Sequence, residues 1–158
     1  MLKFLTLHQP WATLMALGEK TIETRKWRTT YRGPLGIIAG RDRRFLPLCL
    51  EEPFRSILTA QGYETPETLE IGQILCVVTL EDCVRTEMIV LAPEQYGAAP
   101  HEVAFGNYAN GHWGWLTHTR MRLVPGLPAV GRLGVQKDPD LASRVRRVCP
   151  SLVEQETP

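Results

Sequence analysis

The pattern of apolar and polar positions divides the chain into short strands and a few helices. Leu2 to Leu7 and Leu35 to Ala39 predict short apolar strands. Ile74 to Val84 predicts the longest strand, and its start is apolar at odd and even positions, which is typical of burial on both faces. His112 to Leu123 alternates as a second long strand, and we expect Val130 to Val135 to pair beside it.

Helical spacing occurs in two segments of the first half. Pro10 suits a first helical turn because it has no N–H to leave unpaired, and the apolar residues of 11–15 recur at helical intervals until Gly18 ends the pattern. Residues 46–61 predict an amphipathic helix that begins near Pro47 and is kinked at Pro53.

The second half has one helix pattern and one segment that is hard to assign. Asp138 or Asp140 is expected to cap a last helix that runs to about Cys149. Residues 86–104 show no clear period, apart from a short helix around 93–96. The exposed face of the last helix is expected to carry Arg144, Arg146 and Arg147.

Many short strands around few helices predict an α+β domain built on a small, partly closed β-barrel with flanking helices. The regular alternation of strands and long helices that a doubly wound sheet requires is missing. At 158 residues the chain predicts one domain over 1–150, followed by a disordered tail over 151–158.

Composition narrows the function classes only slightly. The hydrophobic fraction of 44% and the charged fraction of 22% are ordinary for a globular protein. We find no apolar run of membrane-spanning length and no signal-peptide pattern, so we expect a cytoplasmic protein. The four cysteines lack a paired spacing, which predicts buried, reduced thiols and no metal site. Cys76 and Cys83 are expected on opposite faces of one strand.

The formal net charge of +1 hides a segregated chain. Residues 19–44 contain eight basic and three acidic residues, whereas 45–104 contain two basic and ten acidic residues. Residues 105–158 contain seven basic and four acidic residues. One basic face that meets a polyanion explains this pattern, and pairing of the blocks with each other across the fold explains it equally well.

The most informative segment lies between Gly18 and Trp27. In an extended chain, alternation puts Glu23, Arg25 and Trp27 on one face, while Lys20 in the preceding turn is free to lean over them. An acid, two bases and a flat ring suit a polar planar ligand such as a nucleobase. The alternative is a surface edge strand that carries an ion pair.

Other candidates are scattered along the chain. His8 at a strand end can titrate near neutral pH, or it serves as a structural cap. Trp27 and Trp113 are candidate stacking rings, whereas Trp11 is expected in the core. The loop over 105–111, with its glycines and asparagines, either closes over a ligand or is a plain turn.

Three motifs together resemble the opening of an ASCH domain, a family of the PUA-like superfamily. They are the run from Thr6 to Ala12, the G-x-K-x-x-E-x-R-x-W run of 18–27, and Y-R-G-x-L at 31–35. Residues 105–108, 113–115 and 131–134 resemble its second half. The resemblance spans about 2–137 and is greatest to the branch that includes the activating-signal-cointegrator ASCH domain.

The resemblance implies a β-barrel with flanking helices and a cleft for a base or nucleotide, because PUA-like domains mostly bind RNA. The partner would be RNA, another single-stranded nucleic acid or a modified nucleoside, with no cofactor and no membrane. Oligomeric state is left open. The expected ligand contacts are His8, Lys20, Glu23, Arg25, Trp27, Arg32, Asn107, Tyr108 and Trp113.

The same resemblance implies a second class of function. Some ASCH proteins are amidohydrolases that act on N4-acetylcytidine, and at least one type is a ribonuclease. The amidohydrolase lysine falls on Lys20, but its nucleophilic threonine falls on Glu23, and its glutamate matches Glu87 or Glu102 by order alone. A carboxylate cannot repeat that acyl transfer, but it can activate water beside Lys20. We therefore prefer a nucleic-acid-binding module, with a hydrolase that uses Lys20 and Glu23 as the alternative.

Overall fold

The computed structural model describes residues 1–152, which are built around a six-stranded mixed sheet. The strands are β1 (Lys3–Leu7), β2 (Ile22–Arg25), β3 (Gly33–Ala39), β4 (Gln73–Arg85), β5 (Trp113–Pro128) and β6 (Val135–Gln136). Their order in the sheet is β2-β5-β4-β3-β1-β6, and β1 and β3 are the parallel pair. Three register shifts between β4 and β5 interrupt the longest pairing, and such shifts bend and twist strands. The sheet is a half-barrel, which confirms the α+β, PUA-like prediction.

Four α-helices flank this sheet within residues 1–152: α1 (Trp11–Ala16), α2 (Phe54–Ala60), α3 (Thr86–Leu91) and α4 (Pro139–Val148). One core cluster packs α1 against the sheet, a second packs α4 against β1 and β4, and a third joins α1 to α2. Each fully buried Phe, Leu or Ile side chain contributes about 1.5–3 kcal/mol, so apolar burial outweighs the exposed ion pairs. None of these helices is long and apolar enough to cross a bilayer.

Turn and cap residues place several elements where the sequence predicted them. Gly18 follows α1 with a φ of +74°, a conformation that glycine adopts without a Cβ clash. Residues 93–96 form a short 3-10 helix. Asp138, rather than Asp140, caps α4, since its Oδ1 accepts from Leu141 N at 2.9 Å. Burial of all four cysteines is confirmed, and all are free thiols.

Three local predictions are wrong. The kinked helix predicted over 46–61 is a 3-10 helix, Leu46–Leu50, and a separate α2, because Pro53 lies in the break between them. Of the strand predicted over 130–135, only Val135 is in a strand, β6, which pairs with β1 instead of β5. Cys76 and Cys83 share one core cluster, because the register shift between Leu80 and Asp82 changes the alternation of β4.

Two further stretches complete the description. Residues 86–104, which the sequence left unassigned, hold α3 and most of a 3-10 helix, Glu102–Phe105, that borders the candidate site. At the carboxyl end, a 3-10 helix over Pro150–Leu152 buries Leu152 against the α4 cluster. Residues 151 and 152 of the predicted tail belong to this helix, and the rest of the predicted tail lies outside the described residues.

Candidate functional site

A cavity of about 930 Å³ opens where β1 and β3 end. Since these strands are parallel, the residues that follow them, His8 and the 40–45 loop, meet at the same edge of the sheet. The antiparallel β6 starts at this edge, so the loop over 130–134 joins them. Strand β2 closes the other side, where Arg25 Nη2 donates to Thr6 O at 3.5 Å. These four chain segments form much of the cavity wall.

Glu23 and Arg25 lie side by side in this wall, as the strand alternation predicted. Glu23 Oε1 accepts from Thr24 N at 3.1 Å and lies 3.9 Å from Arg25 Nε. Within the described residues, neither Glu23 Oε2 nor Arg25 Nε has a hydrogen-bond partner, although both atoms are buried. Buried polar groups without partners are costly, so this pair offers one acceptor and one donor to a ligand.

Lys20 lies elsewhere than the sequence suggested. Its side chain is 1% exposed, and the ammonium donates to Ile22 O and, at 3.3 Å, to Phe105 O. Lys20 does not line the cavity. Its backbone N–H bonds Leu14 O at the end of α1, which keeps the residue inside the fold. The ammonium thus ties β2 to the 3-10 helix that ends at Phe105.

Glu102 is a second buried charge close to the start of β2. Its carboxylate accepts from Thr21 N and Ile22 N, both at 3.0 Å. The residue is 1% exposed and does not line the cavity. It holds the chain in the conformation that presents Glu23. Glu87, the other glutamate considered, also lies outside the cavity wall: it accepts from Gly111 N at 2.7 Å, and this bond lowers the pKa of its carboxyl group.

The loop after Phe105 reaches the cavity. Asn107 lines it and donates its N–H to Thr24 Oγ1 at 2.8 Å, so Thr24 borders the cavity together with Glu23. Tyr108 lies behind this wall, with a buried hydroxyl that has no partner within residues 1–152. Burial, and secondarily the carboxylates of Glu102 and Glu23, raise the pKa of the Tyr108 hydroxyl, so it remains a neutral donor.

Aromatic rings cover another part of the wall. His8 lines the cavity, and its ring meets Phe45 edge-on at 5.0 Å between centroids. Trp11 meets the other side of Phe45 at 5.2 Å. Trp11 was expected in the core, and it both packs against the third core cluster and lines the cavity. This surface can contact a flat ring.

Besides Lys20 and Tyr108, three more of the nine predicted ligand contacts lie outside the cavity. Arg32 is paired with Asp82 at 3.0 Å and donates to Thr29 O and Tyr31 O. Trp27 is 48% exposed beside Arg25, and Trp113 lies under the guanidinium groups of two other arginines. Strand alternation put Glu23, Arg25 and Trp27 on one face, but of these three only Glu23 and Arg25 line the cavity.

Sequence reasoning also missed residues that complete the site. Arg41 and Arg132 line the cavity, and together with Arg25 they give it three guanidinium groups. Asp42 is the second acid there, but Arg44 pairs with it at 2.7 Å and lowers the pKa of its carboxyl group. The basic run of 41–44 and the G-R-L-G run of 131–134 were visible signals. No local pattern connects them to Glu23.

The half-barrel with its four flanking helices is an α+β fold of the PUA-like type. The sequence model of the ASCH domain matches residues 5–123. The chain belongs to the ASCH domain family.

Two relatives are more similar in sequence than the solved structures are, over a shorter part of the chain. Activating signal cointegrator 1 of Mus musculus is 37% identical over 83 residues, which is 51% of this chain and 14% of that protein. The Homo sapiens protein is 35% identical over 82 residues, with the same coverage. The matched region is thus about one seventh of the relatives' length.

Solved ASCH structures from Zymomonas mobilis share the fold. A tyrosine-to-phenylalanine mutant has a TM-score of 0.57 at 11% identity and covers 93% of this chain and 97% of that chain. A serine-to-alanine mutant has a TM-score of 0.57 at 12% identity, with 93% and 95% coverage. At this identity the likeness supports the fold alone.

Proposed function

We propose that this protein binds RNA, or another single-stranded nucleic acid, and holds one base or nucleotide in the cavity. The observation that carries the proposal is the unpartnered carboxylate oxygen of Glu23 beside Arg25 in a cavity that holds three arginines. A carboxylate accepts from an exocyclic amino group of a base, and guanidinium groups bind phosphate. Family membership supports the proposal, since ASCH domains are often proposed to bind RNA.

The charge around the cavity also favours an anionic ligand. The cavity wall holds three arginines and two carboxylates, Glu23 and Asp42. The charge of Asp42 is compensated by Arg44, which does not line the cavity. The remaining positive charge is suited to a phosphate group, while the apolar and aromatic lining suits the base. We expect binding to depend on both parts.

Binding of a short single-stranded RNA at a series of salt concentrations tests the proposal. The logarithm of the affinity should fall linearly with the logarithm of salt concentration, with a slope of about −0.7 for each phosphate neutralised. Arg132→Gln should weaken binding and make the slope shallower, because Arg132 lines the cavity and its backbone bonds to Thr6 and Gln136 survive the change.

Arg55→Gln is the matched control. Arg55 is 61% exposed, pairs with Glu52 and does not line the cavity, so the same loss of charge there should leave the slope unchanged. A complex whose affinity does not respond to salt, or no complex at low salt, would refute the proposed function.

The hydrolase alternative receives less support from the geometry. It requires the ammonium of Lys20 at a reacting oxygen, but Lys20 donates to two backbone carbonyls and is not part of the cavity wall. Incubation with acetylated, methylated and unmodified cytidines and with RNA, followed by mass spectrometry, tests it. Turnover that is lost in Glu23→Gln, with the fold intact, would reverse our preference.

A further inference from the structure

Beside the cavity lies a second surface that the base-binding site does not use. It consists of Lys26, Trp27, Arg28, Arg85 and Trp113, and we call it the outer platform. Trp27 is 48% exposed, although its indole is among the largest apolar side chains of the protein. A single exposed apolar residue needs no explanation, but here Arg25 lies over the ring, and two further arginines contact the neighbouring Trp113.

Those contacts set the positions of the cations. The Arg28 and Arg85 guanidinium groups lie over the Trp113 ring, at 5.6 Å and 4.8 Å from its centroid. The Trp113 ring is therefore in contact with two guanidinium groups, and it is not the free stacking ring that the sequence suggested. Trp27 is different: Arg25 lies 5.3 Å from its ring, Trp115 meets it at 80°, and half of the residue is still open to solvent.

The platform continues directly from the cavity. Arg25 lines the cavity and also contacts Trp27. In the sheet, Arg25 is paired with Trp113 on β5, and Trp113 is paired with Arg85 on β4. Residues directly opposite each other on neighbouring strands project from the same face, so this row leads from the cavity across two strand spacings, about 10 Å.

The charge of the platform fits phosphate. Within residues 1–152, neither Lys26 nor Arg28 forms an ion pair. Glu87 interacts with Arg85 and offsets part of its charge, while its Oε1 is engaged by Gly111 N. A half-exposed indole ring beside cations without ion pairs suits a base and its phosphate, since bases of every kind stack on aromatic rings and cations bind the backbone.

We infer that the outer platform binds the nucleotide next to the one held in the cavity, with its base stacked on Trp27. This inference rests on the proposed function and narrows it: the ligand is a single strand of two or more nucleotides instead of a free nucleoside or mononucleotide. A paired duplex is excluded as the bound form, because one base enters a cavity and its neighbour lies on a protein ring.

Trp27→Ala tests the inference with little risk to the fold. The ring is half exposed, so alanine loses only its edge contact with the buried Trp115 ring and keeps the hydrogen bond from Trp115 Nε1 to the Trp27 backbone oxygen at 3.2 Å. Trp27→Phe retains a flat ring. Leu91→Ala removes another exposed apolar side chain, from α3, and serves as the control.

The probes are the four nucleoside monophosphates, measured by calorimetry, and a fluorescein-labelled RNA hexamer of mixed sequence, measured by anisotropy. Wild-type protein should bind the hexamer more tightly than any monophosphate. Trp27→Ala should weaken hexamer binding about tenfold, within the range known for base stacking, and change monophosphate binding less than twofold. Trp27→Phe should recover most of the loss, and Leu91→Ala should match wild type.

The outcomes separate the two proposals. Hexamer binding unchanged by Trp27→Ala, an equal loss for hexamer and monophosphate, or wild-type binding no tighter to the hexamer than to monophosphates would each overturn the platform and leave the cavity proposal standing. Wild-type protein that binds neither probe would refute the proposed function, and the platform with it.

Discussion

Replacing Lys20 by methionine tests whether this buried lysine is part of the framework or of the ligand site. Methionine keeps a straight chain of similar length but removes the ammonium. The change eliminates hydrogen bonds to Ile22 O and Phe105 O, and at 1% exposure water cannot replace them. Hydrogen bonds from a charged group contribute about 1.5–3 kcal/mol each, so we expect a loss of about 3–6 kcal/mol in the free energy of unfolding.

A loss of this size is easily measured. For a domain of this length each kcal/mol corresponds to about 2–4 °C, so the melting temperature should fall on the order of 10 °C. Urea unfolding followed by tryptophan fluorescence gives the free energy directly. Lys137→Met, the same substitution at an exposed lysine, is the control and should unfold as wild type does.

The refuting result is equally clear. If Lys20→Met unfolds with the wild-type free energy but binds RNA poorly or loses a hydrolytic activity, then Lys20 acts on the ligand and the framework role is wrong. RNA affinity measured well below the unfolding transition should instead be close to wild type, because Lys20 does not line the cavity.

Two other expectations concern the cap of α4 and the pH dependence of stability. Asp138→Ala should lower the free energy of unfolding by about 1 kcal/mol, since it removes the hydrogen bond from Leu141 N. Asp140→Ala should lower it by less. Equal losses of the two variants in urea unfolding would contradict the assignment of the cap. Because burial raises the pKa of Tyr108, the folded protein keeps the hydroxyl proton at pH values where the unfolded chain loses it. The resulting stabilisation is complete below about pH 10 and is lost as the pH rises further. Tyr108→Phe should therefore lose stability less steeply above that pH, and an unchanged slope in alkaline unfolding experiments would contradict the burial of the hydroxyl.

The elements that depend on local pattern could be predicted from the sequence. Gly18 ends α1 because the chain there needs a positive φ, and the doubly apolar start of β4 is buried on both faces. These features follow from the chemistry of a few adjacent residues, and so did the motifs that indicated the ASCH family. The pairing of Glu23 with Arg25 followed in the same way from the two-residue period of a strand.

The predictions that failed concern contacts between distant segments. β6 is only two residues long, and its pairing with β1 is set by the path of the chain around the half-barrel, which no local period encodes. Likewise, a lysine in a turn is expected at the surface, and no local pattern indicates that Lys20 is buried. The carbonyl groups that hold Lys20 inside come from positions 22 and 105.

By itself, then, the sequence determined the family, the fold class and the strand that presents Glu23 and Arg25. The tertiary structure alone decided which charges share a cavity, because Arg41 and Arg132 reach it from loops at the ends of β3 and before β6. It also decided which rings remain open, since Trp27 and Trp113 look alike in sequence. One is half exposed and the other is covered by arginines, because their surroundings are set by strand pairing across the whole sheet.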